Sequence, residues 1–451
     1  MNLSPEHWTG VAAAAALVVT STQGQCLPDW DEAIGSPGLD RGVRKGIAVL
    51  DGAEPKLIVS SAFASAGGVP VGGVAAWTPD GGWEAFGGDG LRRSGAIVGA
   101  NAIAVFDGEL YAGGRFTEAG GEPIASIARF DGDRWHPLGT GIDGQVLGMR
   151  AIDFDGRDLL IVCGTFTEAG GLDSPAVAAW DGTAWVAFGG NLFGSANDAI
   201  VWDDGSGEAL YATGAFDVAG GRGRGLARLD AVRGWQPVGS GFSGGDNPRG
   251  NSLAIYDDGR ANALYIGGNF LDAQPASGGA VGPNIARWDG TSFEGVGDGF
   301  DNTVASLLVA DAGDGERLYA GGTFFLSGSQ PANGLAVLDG DGWESVGDGI
   351  SGGTVPGVGG MVADPFGDGL FAAGGFQFAG PFAAGNIARW GCVIEDCPAD
   401  IDGDGQLTLF DFLAFQDLFQ DGDPAADIDG DGRLTLFDFL AFQDAFDVGC
   451  E

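Results

Sequence analysis

The chain has 451 residues, enough for one large domain and a small one, and it carries a formal net charge of −41. A chain this acidic is not expected to bind nucleic acid, because phosphate contacts need lysine and arginine. Glycine accounts for 87 residues, but aromatic residues make up 10% and hydrophobic residues 44%. That combination excludes a disordered chain and predicts many short strands joined by tight turns.

Residues 1–25 are predicted to be a secretion signal. The run VAAAAALVVT at Val11–Thr20 is apolar, and small residues follow at Thr22 and Gly24. The run is too short to span a bilayer, and no other segment is long and apolar enough to do so. The sequence therefore predicts a secreted or cell-surface protein with no membrane span.

One pattern returns seven times between residues 26 and 391. Each copy has an apolar piece ending in Asp, a piece running through small residues to Phe, a piece like IARW, and a piece starting on an aromatic residue. The Phe residues lie 50 to 54 residues apart, at Phe63, Phe116, Phe166, Phe216, Phe270, Phe324 and Phe376. A period near 50 with four strands per unit is typical of a β-propeller in the kelch-like size range.

The copies are incomplete at one end only. Seven copies have the first three pieces, but only six have a fourth after them, because the chain leaves the last copy at Trp390. The stretch CLPDWDEAIG near the N-terminus matches the missing piece, with Trp30 in the aromatic position. We therefore predict a mainly β fold, a seven-bladed β-propeller at residues 26–391 closed by the N-terminal strand, because closure removes exposed sheet edges.

The repeated residues offer no clear active site. The acidic residues that end the first pieces recur in every copy, so turn capping is their simplest role, with a ring of carboxylates around a cation as an alternative. They are Asp51, Asp107, Asp155, Asp203, Asp257, Asp311 and Asp364. The only histidines are His7 and His136, which excludes a multi-histidine metal centre, and an isolated His136 fits the surface or a rim.

These observations favour a non-enzymatic binding or scaffold module that presents loops to a glycan or protein ligand. Specificity is expected where the copies differ, in loops such as Gly241–Gly250 and Asp272–Gly282. The alternative is a polysaccharide-degrading, carbohydrate-active enzyme with its site at the mouth of the propeller channel.

Five cysteines separate into two groups. Cys163 lies in the apolar run DLLIVCG and is predicted to be a buried free thiol. The others flank the domains, as expected of disulfides in an oxidising compartment. Closure of the propeller would bring Cys26 near Cys392, and Cys397 and Cys450 bracket the tail, although other pairings remain open.

The tail, residues 392–451, contains two copies of a twelve-residue loop with the spacing of a calcium site. The pattern places oxygen ligands at loop positions 1, 3, 5, 7, 9 and 12, position 7 through its backbone carbonyl, and glycine at position 6. The predicted ligands are Asp400, Asp402, Asp404, Gln406, Thr408 and Asp411 in one loop, and Asp427, Asp429, Asp431, Arg433, Thr435 and Asp438 in the other. Six oxygen ligands in each loop suit one Ca²⁺ ion per loop, so the tail is predicted to bind two.

Each loop leads into the sequence LFDFLAFQD, in which phenylalanines recur at helical spacing. We expect the two resulting helices to pack together through Phe412, Phe415 and Phe419 of the first and Phe439, Phe442 and Phe446 of the second.

A loop followed by one helix, duplicated, bracketed by cysteines and ending in GC, resembles a GC-type dockerin, a type I-like tail of secreted bacterial proteins. The resemblance covers about residues 397–451 and implies a calcium-shaped surface that docks a cohesin-like or other surface receptor. Dockerins usually carry Ser or Thr at loop positions 10 and 11, where this chain has Leu409-Phe410 and Leu436-Phe437. The difference favours a receptor other than the usual cohesin, or a sorting or anchoring role.

Overall fold

A computed structural model describes residues 28–31, 34–50, 52, 54–219, 224–245, 247–273, 281–391, 399, 401, 408–428 and 433–448. The fold is mainly β, with two α-helices. The chain divides into two compact units, Leu27–Val393 and a unit that contains Ile394–Glu451. Within the described ranges, no helix has the length and apolar character needed to span a membrane. The predicted signal peptide at residues 1–25 lies outside those ranges.

Seven four-stranded antiparallel sheets, numbered here in chain order, make up most of the first unit. The first strand named for each sheet is called its leading strand. The strands are Ile47–Leu50, Lys56–Ser60, Val74–Thr78 and Gly82–Ala85 in sheet 1; Ala100–Phe106, Glu109–Gly114, Ile127–Phe130 and Trp135–Pro137 in sheet 2; Gln145–Phe154, Arg157–Thr165, Val177–Trp180 and Trp185–Ala187 in sheet 3; Leu192–Asp203, Glu208–Val218, Arg224–Asp230 and Gly234–Pro237 in sheet 4; Arg249–Asp257, Asn262–Asn269, Ile285–Trp288 and Phe293–Glu294 in sheet 5; Val304–Asp311, Glu316–Gly322, Leu335–Asp339 and Gly342–Ser345 in sheet 6; and Val358–Ala363, Gly369–Gly374, Ile387–Gly391 and Asp29–Asp31 in sheet 7.

The N-terminal strand supplies the fourth strand of sheet 7. Asp29–Asp31 pairs antiparallel with Ile387–Gly391, and Trp30 lies opposite Trp390. The two indole rings meet edge to face with their centroids 5.2 Å apart, and Trp30 is only 3% exposed. The strand pairing predicted from the missing fourth piece is therefore confirmed.

Hydrophobic side chains fill the space between successive sheets. Ile58 of sheet 1 packs with Ile103 of sheet 2 in one cluster, and similar clusters join every later pair of neighbours. A further cluster joins Phe371 of sheet 7 to Leu57 of sheet 1. The leading strands contact each other in the same order, again including sheet 7 with sheet 1. The order of packing thus returns to its starting point, and each large side chain fully buried there contributes about 1.5–3 kcal/mol.

Short strands form a second, smaller set of sheets that the sequence patterns did not predict. Most are two-residue hairpins between the second and third strands of a sheet, and Gly120 and Gly121 form such a turn with φ of +59° and +87°. Two successive positive φ angles are characteristic of the tight turns that glycine favours. The short strands are Ser65–Ala66 with Val69–Pro70; Glu122–Pro123, Glu118–Ala119, Leu91–Arg93 and Ala96–Ile97; Glu168–Ala169 with Leu172–Asp173; Phe242–Ser243 with Asp272–Ala273; Leu326–Ser327 with Gln330–Pro331; and Ile350–Ser351, Phe378–Ala379 and Phe382–Ala383.

The tail contains two helices, α1 (Leu409–Asp421) and α2 (Leu436–Val448), with a 3₁₀ turn at Pro424–Ala426 between them. Gly422 ends α1 in the left-handed conformation, with φ of 71°, and its N–H donates to the carbonyl of Leu418.

The helices contact each other through equivalent aromatic residues. The rings of Phe415 and Phe442 stack with centroids 4.2 Å apart, and Phe412 and Phe439 meet at 6.2 Å. The predicted packing of the two phenylalanine faces is confirmed.

Candidate functional site

The last ligand position of each predicted calcium loop is a fully buried aspartate. Asp411 accepts an N–H bond from Ile401 on Oδ1 at 2.9 Å and one from Thr408 on Oδ2 at 2.8 Å. Asp438 accepts an N–H bond from Thr435 on Oδ2 at 2.6 Å. The two copies therefore hold equivalent carboxylates at the start of their helices.

Threonine side chains cap both helices. The Thr408 hydroxyl accepts the N–H of Phe410, and the Thr435 hydroxyl accepts the N–H of Phe437, each at 3.1 Å. A threonine cap followed three residues later by an acid is a capping box, which satisfies N–H groups that a helix leaves unpaired. Asp411 thus has a structural role at the helix start in addition to its predicted role as a ligand.

The remaining loop ligands are described only in part. Asp427 follows the 3₁₀ turn and donates its N–H to the carbonyl of Pro424 at 3.1 Å. Arg433 is also described, whereas Asp400, Asp402, Asp404, Gln406, Asp429 and Asp431 lie outside the described ranges. The residues that are described form no group of three acidic, histidine or cysteine side chains that could hold a metal. The two calcium sites stay predictions.

Apolar side chains are exposed at the start of both helices. Phe410 is 71% exposed and its equivalent Phe437 is 68% exposed. The neighbouring leucines follow the same duplication, namely Leu409 and Leu413 in α1 and Leu436 and Leu440 in α2. We call these six residues the paired apolar patches. Contiguous exposed leucine and phenylalanine side chains are a common mark of a protein-binding surface.

The recurrent aspartates after the leading strands serve the turns. Four of them accept backbone N–H bonds within two to four residues: Asp203, Asp257, Asp311 and Asp364. Asp107 and Asp155 occupy turns with φ of 52° and 58°. The turn role is confirmed for these residues, and Asp51 lies outside the described part of the chain. Their role in the turns at the ends of the leading strands accounts for their recurrence in every copy.

A polar cluster links sheets that are distant in sequence. Lys45, just before the leading strand of sheet 1, donates to the carbonyls of Asn197 in sheet 4, at 3.4 Å, and of Asn251 in sheet 5. Arg150 of sheet 3 lies 3.0 Å from a carboxylate oxygen of Asp198 in sheet 4. Burial lowers the pKa of Lys45, and Asp198 partly opposes that shift. Since these cations bond to protein oxygens across several sheets, their evident role is to hold the sheets together.

His136 lies in a hairpin and faces a turn carboxylate. Its Nε2 is 2.5 Å from Asp131 Oδ2, with a quarter of the histidine side chain exposed. N–H bonds from Arg134 and Asp133, followed by the contact with His136, lower the pKa of Asp131. His136 is thus a partly exposed residue of a surface hairpin, as expected, and its partner is a turn carboxylate. The enzyme alternative gains no catalytic group here and stays a prediction.

Cys163 is a buried free thiol, as predicted, and burial raises its pKa. The predicted disulfide partners Cys26, Cys392, Cys397 and Cys450 lie outside the described ranges, so both pairings stay predictions. The loops expected to carry specificity are described except for residues 246 and 274–280.

The sequence matches no known family model and no curated protein. Among solved structures, the extracellular domain of a putative one-component system from B. thetaiotaomicron is 14% identical over 80% of this chain, with a TM-score of 0.48. The extracellular domain of a putative hybrid two-component system from the same organism gives 14%, 80% and 0.47. The chain spans 39% of the length of each of these structures. Similarity at this level assigns the chain to no family.

Proposed function

We propose that the chain is a secreted or cell-surface binding protein with two working parts. The seven-sheet unit is a seven-bladed β-propeller that presents loops to a glycan or protein ligand. The tail is a dockerin-like module that binds two calcium ions and docks a receptor. The observation that carries the proposal is the duplication in the tail, where buried aspartates and exposed apolar patches occupy equivalent positions in both copies.

The propeller assignment is supported by the seven sheets and by the order in which they pack. Each sheet contacts its neighbours in the chain, and sheet 7, completed by the N-terminal strand, packs on sheet 1. Radial repetition of four-stranded sheets around an axis accounts for that order, since it leaves no sheet without a neighbour on both faces.

The calcium assignment is supported by the burial of Asp411 and Asp438. A carboxylate removed from water is costly unless charge or hydrogen bonds compensate it. The N–H bonds described above hold both carboxylates in place, and in the proposed site a divalent cation held by the rest of the loop adds positive charge beside them. The loops, with their run of aspartates, have the ligand type that calcium prefers.

Docking is assigned to the paired apolar patches. From Cys392 to Glu451 the tail carries 16 acidic residues and one basic residue, Arg433, yet the six patch residues are all Leu or Phe. An apolar centre within an acidic surface is complementary to a protein that offers an apolar face bordered by basic groups. We therefore assign the receptor to that class.

Calorimetry tests the calcium sites. Full-length chain, freed of metal with a chelator, should take up two Ca²⁺ ions. Asp411→Asn and Asp438→Asn should each reduce the number to one, whereas Asp417→Asn, an exposed acid of α1, should leave it at two. Absence of calcium uptake by the unaltered chain would remove the proposed role of the tail.

Retention on washed envelopes of the producing cells tests docking. The purified chain should be retained in calcium and released by chelator. Phe410→Ser combined with Phe437→Ser should abolish retention while two calcium ions still bind, because these side chains are exposed and support no core. Equal retention with and without calcium would contradict the docking assignment.

A further inference from the structure

A cleft of about 390 Å³ lies between sheets 2 and 3, at the end where their leading strands begin. Its lining includes Arg93, Arg115, Thr117, Gln145 and Thr165. We propose that this cleft binds an anionic saccharide, a sugar unit bearing carboxylate or sulfate, held by the two guanidinium groups. The inference rests on the proposed function only in taking the seven-sheet unit as the ligand-binding part.

The guanidinium groups of both arginines are unoccupied by other described protein groups. In the described part of the chain, neither the Arg93 nor the Arg115 side chain has an ion pair or a hydrogen bond, and both residues are exposed. By contrast, the arginines of the third strands pair with carboxylates, as Arg129 does with Glu109 at 2.8 Å. The two arginines and the one carboxylate of the lining, Asp143, therefore leave the cleft with a net positive charge in a protein of net charge −41.

The one acidic residue among the cleft-lining residues, Asp143, is hydrogen-bonded to the segment that follows the second strand of sheet 3. Asp143 Oδ1 accepts the N–H groups of Thr167 and Glu168, each at 2.9 Å, and Oδ2 accepts the Thr167 hydroxyl at 2.6 Å. Burial raises the pKa of Asp143, but these bonds outweigh that effect and lower it. The carboxylate is thus ionised and fully used in bracing the loop, and it makes no ion pair with either arginine.

The arginine in sheet 2 breaks the repeat. Arg115 precedes the recurrent Phe116, and the residue at that position in the other copies is small or neutral: Ala62, Thr165, Ala215, Asn269, Thr323 and Gly375. A residue needed to build the repeated sheet would recur in it. Because Arg115 occurs in one copy only, we infer that it serves binding, since specificity is expected where the copies differ.

The hairpin that carries Arg93 also departs from the repeat. At the equivalent position of other copies, Asp40, Asp143 and Asp301 accept N–H bonds from the following sheet. Here Arg92 replaces the acid, and its guanidinium donates to the carbonyls of Asp89 and Gly95, each at 3.2 Å. Arg92 thus closes the hairpin on itself, fixing the strand that ends in Arg93.

The chemistry of the cleft favours a charged sugar over an acidic peptide. Guanidinium groups bind carboxylate and sulfate through paired N–H bonds, and the Gln145 amide with the Thr117 and Thr165 hydroxyls can pair with sugar hydroxyls. The aromatic residue in the lining, Phe116, is 1% exposed and offers no apolar surface to a peptide side chain. A volume of about 390 Å³ is within the range of small-molecule sites.

Calorimetry on the full-length, calcium-loaded chain tests the proposal with four probes. They are hexagalacturonate, a sulfated carrageenan hexasaccharide, the neutral cellohexaose and hexaglutamate. We expect at least one anionic saccharide to bind and the neutral sugar and the peptide not to bind, and the two anionic probes distinguish carboxylate from sulfate. Arg93→Asn and Arg115→Thr should each weaken binding at least tenfold. Both replacements introduce a residue that another copy carries at the equivalent position. Arg134→Gln, an exposed arginine in a hairpin of sheet 2, should not.

The proposal is overturned if no anionic saccharide binds, if the peptide binds as well, or if neither cleft variant weakens binding. Unchanged melting temperatures establish that the variants are folded. Binding of cellohexaose that is insensitive to both variants would reject the anionic site and leave the glycan-binding role intact. Calcium uptake, read on the same samples, reports separately on the tail.

Discussion

The seven-sheet unit and the tail are stabilised by different means. The first unit has a hydrophobic cluster between every pair of neighbouring sheets, seven in all. Among its described residues the tail has one cluster, in which the fully buried residues are Ala399, Phe415, Ala426 and Phe442. A core that small rarely supplies more than about 3–5 kcal/mol. The comparison teaches that extensive packing stabilises the sheets, whereas the described part of the tail has little of it. Under the proposed function, calcium adds to the stability of the tail.

The largest expected effect comes from weakening the tail core. Phe415→Ala removes a side chain that is 1% exposed and stacked on Phe442. Such a change costs about 3–5 kcal/mol, comparable with all that the tail core supplies. We expect α1 and α2 of this variant to unfold at a higher calcium concentration than in the unaltered chain, seen as loss of the helical signal in far-ultraviolet circular dichroism as calcium is withdrawn. Phe410→Ala, exposed on the same helix, is the control and should lose the signal at the same calcium concentration as the unaltered chain.

The next largest loss of stability is expected from replacing Trp30, the buried aromatic residue of the N-terminal strand in sheet 7. Trp30→Ala deletes a buried side chain from the strand that completes the sheet, at a cost of about 3–5 kcal/mol. The unit should remain folded, because the other clusters are untouched, but urea unfolding should shift to lower concentration. A shift no greater than that of Val232→Ala, which alters a 93% exposed residue, would show that the N-terminal strand contributes little.

A smaller effect is expected from the Asp258 carboxylate. Burial raises its pKa, but bonds from Arg260 and Tyr265 and the charge of Arg287 outweigh that effect and bring it from 3.8 to about 2. A carboxyl whose pKa is lower in the folded state stabilises the fold above its unfolded pKa, and the contribution is lost as pH falls from about 4 to 2.

Asp258→Asn should therefore reduce the free energy of unfolding by about 2–3 kcal/mol at neutral pH, the equivalent of a shift of about two pKa units. The difference from the unaltered chain should disappear at pH about 2 in urea unfolding experiments. A difference that persists undiminished in acid would assign the effect to packing. Asp341→Asn, an exposed acid, serves as the control.

Much of the architecture could be predicted from the sequence because it repeats. The period of about 50 residues predicted seven similar units, and the missing fourth piece predicted the pairing of Trp30 with the last sheet. The helical spacing of the phenylalanines within each tail segment predicted the packing of α1 on α2, which brings Phe415 onto Phe442. These features are local patterns of hydrophobicity, which a single sequence displays directly.

Other features escaped prediction for physical reasons. The short hairpins, such as Glu118–Ala119 with Glu122–Pro123, are built from two-residue strands, which are too short to show alternation of apolar and polar residues. The bond from Lys45 to Asn251 joins residues far apart in the chain, so no local pattern encodes it. The meeting of Arg93 and Arg115 in one cleft depends likewise on a contact between separate segments, the pairing of Leu91–Arg93 with Glu118–Ala119.

Hydrogen exchange of the full-length chain, with calcium and with chelator, tests the contrast between the two units most directly. We predict that chelation removes the protection of amides in α1 and α2, while amides in the second strands, such as Leu57–Val59 of sheet 1, exchange at the same rate in both conditions. Equal protection of the helices with and without calcium would contradict the account, because the tail would then hold its fold without the metal.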